Sequence, residues 1–164
     1  TEMRLATSPD LFHWTPQGPV FTGEETARDP CVVRLDDHYV MVYVAGNTLY
    51  ARDSADLRHW APRRPIYALG RPGAPESPFL VRRPEGFYLF FCIYDGTNGD
   101  YDDRTTVLFL DAHDGASLDF RRALVVAQIR AHAPEVICDE RGDWYIASVE
   151  RPHRGLSVAP LGWE

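Results

Sequence analysis

The sequence lacks several features that would fix its class at once. No apolar run approaches the roughly 20 residues needed to cross a bilayer as a helix, so no membrane partner is expected. No Gly-x-Ser-x-Gly elbow occurs, and the serines stand in turn-like surroundings, which leaves a Ser-His-Asp hydrolase unsupported. Cysteine is sparse: Cys31, Cys92 and Cys138 form an odd set with no Cys-x-x-Cys pair. The count argues against a disulfide frame and the spacing against zinc. Each cysteine lies in an apolar run (DPCVV, LFFCIY, EVICD) and reads as a buried, reduced thiol. With no signal peptide in the sequence, these unpaired thiols favour a cytoplasmic location.

Excess positive charge is also missing. Seventeen basic residues face 24 acidic ones, a net charge of −7, which argues against nucleic acid as a partner. Such a balance suits a neutral ligand met by carboxylates. The paired arginines in RRPEG, APRRP and FRRAL are scattered among acidic turns and read as solvated surface. No stretch carries helical periodicity, and no organic cofactor is implied.

Aromatic residues are abundant instead, at 12% of 164 residues, alongside 13 prolines and 12 glycines. That mixture fits many short strands and turns. The chain also repeats itself. SPDLFHW (8–14) and SADLRHW (54–60) share Ser, Asp, Leu, His and Trp at the same places. The Ser-to-Trp spacing returns at Ser157–Trp163, and a degenerate copy spans Asp114–Phe120.

A second pattern accompanies the first. RDPCVVRLDDHYVMVYVAG (28–46), ESPFLVRRPEGFYLFFCIY (76–94) and APEVICDERGDWYIASVE (133–150) each pair a short apolar run with an aromatic strand across a polar turn. These are expected to be β-hairpins. A further strand follows each, at 48–54, 105–112 and 155–160. Meanders of three to four antiparallel strands, repeated in this way, predict an all-β propeller rather than a sandwich. The Ser/Trp phrase is expected to end each blade: Ser and Asp close a turn, and Trp fills the gap to a neighbouring blade.

The candidate chemistry lies at the other end of the unit. Asp29, Glu76 and Glu135 each open a first strand beside a proline. If the first strands are innermost, the three acids face one central funnel in register. Facing carboxylates serve glycoside cleavage, one protonated as general acid and another ionised as nucleophile or base. The insertion at 94–104 carries Asp95, Asn98, Asp100, Asp102 and Asp103, oxygen donors that suit calcium. Their spacing fits no EF-hand, so the segment reads as a solvated loop and no metal site is assigned.

RDPCVV, ESPFLV, HAPEVI and the Ser-x-Asp-Leu-x-His-Trp phrases together resemble the five-bladed β-propeller glycoside hydrolases of families 32 and 43. The resemblance implies a carbohydrate partner, with fructosides, arabinosides or xylosides as substrates. Arg28-Asp29-Pro30 is similar to the family 32 motif whose Asp binds substrate hydroxyls as a transition-state stabiliser. Glu76-Ser77-Pro78 resembles the Glu-Cys-Pro and Glu-Gly-Pro motifs of the general acid, with small Ser77 letting the backbone pass close to the axis. Glu135 is assigned to sugar-hydroxyl binding or pKa tuning, with the acid role as its alternative. His132 is its neighbouring ligand for substrate.

The families place a further Asp on the first strand of their first blade, and nothing before Arg28 matches it. The opening RLATSPDLFHW reads as the tail of an earlier blade. Residues 1–164 are thus expected to form one incomplete propeller domain of about three to four blades. Self-association, or blades supplied by another segment, would complete it, and the isolated chain is expected to hydrolyse little. The runner-up reading is a non-catalytic carbohydrate-binding propeller.

Overall fold

The computed structural model describes residues 1–94, 104–113, 118–150 and 154–163. The candidate calcium ligands at 95–103 lie outside the described residues, as do the first four residues of the degenerate phrase at 114–120. Strands β1 (Glu2–Thr7) and β2 (Thr15–Thr22) pair antiparallel as a two-stranded sheet. β3 (Arg28–Arg34), β4 (Tyr39–Ala45), β5 (Thr48–Ser54) and β6 (Arg64–Ala68) form a four-stranded meander. A second meander comprises β7 (Ala74–Arg83), β8 (Gly86–Tyr94), β9 (Thr105–Asp111) and β10 (Leu124–Ile129). β11 (Glu135–Cys138), β12 (Trp144–Glu150) and β13 (Gly155–Pro160) make a three-stranded sheet. Among the described residues the sole helical element is a 3-10 turn, Phe120–Arg122.

The three expected hairpins are β3–β4, β7–β8 and β11–β12. The second strands YVMVYVA and GFYLFFCIY are apolar on both faces because a neighbouring sheet covers each side. Gly86 is required at the β7–β8 turn: a Cβ there would fall 2.3 Å from the Leu110 carbonyl oxygen.

The sheets stack face to face in chain order. Met3, Met41 and Tyr43 join the first sheet to the second. Val42, Leu49 and Ile66 meet Leu80, Phe91 and Leu108 between the second and third. Val81, Phe90 and Val107 meet Val136 and Ile146 between the third and fourth. Burial of such side chains contributes about 1.5–3 kcal/mol each. At one edge of this stack β3 lies against β7, and β7 against β11, so the first strands of successive meanders converge.

The repeated phrase sits elsewhere than expected. It connects the third and fourth strands of a meander, β5 to β6, rather than ending the blade, and its first copy connects β1 to β2. In both copies the Asp carboxylate accepts two backbone N–H groups, from Phe12 and His13 or from Arg58 and His59, and pairs with the ring of the following His at 2.7 Å. The indole N–H then donates to the carbonyl of Leu11 or Leu57, a residue with φ +65. The phrase is therefore a self-contained turn that launches the fourth strand. Its terminal aromatic packs on the preceding sheet at Trp60, Phe120 and Trp163, as expected, but Trp14 remains 56% exposed.

Two further expectations need correction. Cys92 is buried, but Cys31 is half-buried and Cys138 is exposed, because the β11–β13 sheet presents its second face to solvent. The paired arginines are not merely solvated, because stacking brings acids and rings from adjacent sheets within their reach. Arg82 makes a two-point pair with Asp36, at 2.7 and 3.1 Å, from the third sheet to the second. Arg83 lies over the Trp163 ring at 4.6 Å. Arg63 and Arg52 both reach buried Glu24, which also accepts from the Tyr43 hydroxyl at 2.7 Å.

Candidate active site

A shared backbone device shapes the converging edge. In β3 the register with β4 shifts between Arg28 and Cys31, and in β7 the register with β8 shifts between Glu76 and Phe79. The residues skipped are Asp29-Pro30 and Ser77-Pro78. Proline has no N–H to give the ladder, and the extra residue forms a bulge that re-aims its neighbours. In the fourth sheet His132 still bonds β12, accepting from Val149 N–H and donating to Ser148 Oγ. Ala133-Pro134 is then passed over before β11 pairs from Glu135.

The residue before each proline is left-handed: φ is +53 at Asp29, +50 at Ser77 and +48 at Ala133. A pre-proline residue is barred from the right-handed helical region, and the bulge drives it to positive φ at a steric cost of about 1–2 kcal/mol. Glycine meets this conformation without that cost.

The prolines also set the true correspondence between sheets. Arg28, Glu76 and His132 occupy one position, Asp29, Ser77 and Ala133 the next, and Cys31, Phe79 and Glu135 the first after proline. Asp29, Glu76 and Glu135 are therefore not in register, as the sequence pattern suggested. They occupy three different steps of the same bulge.

They are nonetheless gathered at the same edge. Asp29, Ser77 and Glu135 line a cavity of about 460 Å³ between β3, β7 and β11, whereas Glu76 and Arg28 are not among its lining residues. Two reciprocal bonds tie its first two walls together. Arg28 Nη2 donates to Glu76 Oε1 at 3.1 Å, and the Ser77 N–H donates to Asp29 Oδ2 at 3.1 Å. The Arg28 Nε also lies 3.7 Å from Asp29 Oδ2. Asp29 Oδ1 and Glu76 Oε2 are left without a protein hydrogen bond among the described residues. The Glu76 side chain is the more enclosed of the two, at 18% exposure against 34% for Asp29.

Cys31 was not singled out for the site, yet it lines the same cavity. Burial pushes its thiol above the ordinary range, and the negative charge of Glu135 adds to the effect. Only the three-dimensional register places it there. His132 lines a different recess, with Arg130, Ser148 and Glu150. Among the described residues no group of three or more His, Cys, Asp or Glu side chains is arranged to hold a metal ion.

Stacked four-stranded antiparallel meanders with first strands converging on a common edge are propeller blades. Comparison with solved structures decides the type. An α-L-arabinofuranosidase from Lactobacillus brevis superposes with a TM-score of 0.68 at 17% identity, covering 100% of this chain and 64% of that one. A Bombyx mori β-fructofuranosidase of glycoside hydrolase family 32 gives 0.67 at 18% identity, covering 95% and 40%. A Bacteroides ovatus xyloglucan-locus protein of family 43 gives 0.60 at 19% identity, covering 88% and 29%. The chain has the β-propeller fold of glycoside hydrolase families 43 and 32. No protein-family model matches this propeller, and no curated protein does. The chain spans between 29% and 64% of the length of these three structures.

Proposed function

We propose that the propeller is part of a glycoside hydrolase acting on arabinoside, xyloside or fructoside linkages. The observation that carries this reading is the reciprocal tie across β3 and β7. It fixes Asp29 on the cavity wall and Glu76 one residue behind the lining residue Ser77, and among the described residues each carboxylate keeps one oxygen without a protein hydrogen bond. Glycoside cleavage needs a carboxyl group to protonate the leaving oxygen and fixed acceptors for sugar hydroxyls as positive charge develops on the ring.

Glu76 takes the acid role. A guanidinium offers only donors, so the oxygen facing Arg28 is an acceptor, and the transferable proton rides on Oε2. Asp29 takes the hydroxyl-binding role through Oδ1, held in place by the Ser77 N–H. Glu135 adds a second carboxylate to the cavity wall for sugar hydroxyls, and His132 stands beside it in sequence. The fold neighbours point to the same sugars by name, one being a β-xylosidase/α-arabinofuranosidase solved with xylotriose.

The test is turnover of xylobiose, arabinobiose and sucrose by the chain and by Glu76→Gln, with 4-nitrophenyl glycosides alongside. Loss of the acid is expected to slow the natural linkages by about 10²–10⁴-fold. The nitrophenyl substrates, whose leaving group needs no proton, should slow much less. Equal turnover by both proteins would refute the assignment. Saturable sugar binding without turnover in either would replace hydrolysis with non-catalytic carbohydrate binding.

A further inference from the structure

A bulged residue takes its backbone N–H out of the strand ladder, and two successive junctions at the axis satisfy that group differently. Between the second and third sheets the Ser77 N–H donates to the Asp29 carboxylate, on the bulge of the preceding sheet. Between the third and fourth sheets the preceding bulge carries Ser77, and the Ala133 N–H donates instead to the Cys92 sulfur at 3.1 Å. Cys92 stands on β8 opposite Glu76 and is fully buried. Thr105 of β9, also fully buried, lies beside it: its hydroxyl is 3.5 Å from the Cys92 sulfur and donates to the Ala131 carbonyl at 2.9 Å. The third sheet therefore holds the crossover from β10 to β11 on both sides of His132. His132 itself is bonded to the fourth sheet, through Ser148 Oγ and the Val149 N–H.

The register shows what changed between the two junctions. In the second sheet Val44 pairs with Arg28 on one side and Leu49 on the other. Cys92 pairs with Glu76 in the same way and stands, with Thr105, one step past the Phe91–Thr106 pair. Val44 and Leu49 are apolar and belong to the core between the second and third sheets. A thiol and a hydroxyl buried at the matching places need hydrogen-bond partners to offset their desolvation. Both find one on the crossover.

That crossover carries the third wall of the axis cavity, since Ala133, Pro134 and Glu135 all line it. Proline fixes its own φ, so left-handed Ala133 sets where Glu135 enters β11. We propose that Cys92 and Thr105 are positioning residues for this wall: from the third sheet they fix strained Ala133 and, through it, the Glu135 carboxylate. That Glu135 meets a sugar rests on the proposed carbohydrate function; the tie to Ala133 does not.

Amide hydrogen exchange of the ¹⁵N-labelled chain, followed by NMR, tests the proposal. Cys92→Ala should speed exchange at Ala133 about tenfold, whereas Cys92→Ser, which keeps an acceptor, should stay within about threefold of the parent. Thr105→Val, of nearly the same shape, should also raise the rate at Ala133. Val107→Ala removes buried volume from the same sheet without removing a bond to the crossover, and should leave Ala133 within about threefold. An unchanged rate at Ala133 in Cys92→Ala or Thr105→Val would overturn the proposal. So would an equal rise in Cys92→Ser or Val107→Ala. Titration with xylobiose reads the sugar role separately: the Glu135 amide should shift in the parent, less in Cys92→Ala, and again in Cys92→Ser. A full shift in Cys92→Ala would refute positioning of Glu135. No shift in the parent would refute sugar contact by Glu135, while the exchange rates still decide the tie.

Discussion

Trp14 and Trp60 end the same seven-residue turn, with the same indole bond to a leucine carbonyl at 3.0 and 3.2 Å. They differ in what lies beneath them. Trp60 packs with Met3, Met41 and Tyr43 at the junction of the first two sheets, whereas Trp14 is 56% exposed. Replacing each with alanine removes the same local turn contact, so the difference isolates packing between blades. A tryptophan side chain has up to about 250 Å² to bury. If Trp60 buries roughly 50–80 Å² more than Trp14, at about 25 cal/mol per Å² the gap is about 1–2 kcal/mol. Phe120, fully buried at the next junction, sets the upper reference, because Phe→Ala in a core costs about 3–5 kcal/mol. Urea unfolding followed by far-UV circular dichroism gives all three values. The expected order of loss is Phe120→Ala, then Trp60→Ala, then Trp14→Ala. Equal losses at Trp14 and Trp60 would mean that the phrase acts only as a turn, and the account of it as a clamp between blades would fail.

Ser77 tests the origin of the axis bulge. Ser77→Gly relieves the left-handed φ and adds unfolded-state entropy, so its urea midpoint should stay within about 1 kcal/mol of the parent. A β-branched Ser77→Val should cost more than about 2 kcal/mol, and parity between the two variants would remove strain from the explanation. Glu24 tests the buried junction through pH. Burial opposes its ionisation, but hydrogen bonds from Tyr43 and Arg52, with the charges of Arg52 and Arg63, outweigh burial and hold its carboxyl below the ordinary value. A carboxyl lowered on folding stabilises above its unfolded pKa and loses that contribution as pH falls through its folded value. Stability should therefore drop on acidification below about pH 4.5, and Glu24→Gln should flatten that limb while lowering stability at neutral pH. An unchanged acid limb would exclude Glu24 as its source.

The blade pattern was legible because alternation between aromatic strands and polar turns is local, and the repeat multiplied the signal. The fourth strands were harder to read. TPQGPVFT and RPIYA carry prolines and polar residues, because an outermost strand pairs on one side and answers to solvent on the other. The arginine ties were hidden for a different reason. Arg82 and Asp36 are remote in sequence, and only the stacking of adjacent sheets makes them partners. RDP and ESP lie on two strands that converge at the cavity. The match of Asp29 to Glu76 and Glu135, however, assumed that like residues hold like positions. Prolines, not carboxylates, mark the register.

That register bears on how the site arises. Positive φ recurs before proline even at Ala133, whose methyl group offers no chemistry, so the strained bulge belongs to the framework and not to any one functional side chain. The β3, β7 and β11 sheets repeat the same two positions beside the bulge. The position before the bulge carries Arg28, Glu76 and His132 in turn, and the bulged position, which lines the cavity, carries a carboxylate, a hydroxyl and a methyl group. Adjacent blades bring adjacent positions into reach, which is why Arg28 meets Glu76 and the Ser77 backbone meets Asp29. A repeated frame of this kind can change its chemistry by single substitutions without moving the backbone. The asymmetry between blades, rather than the repeat, is where function is written.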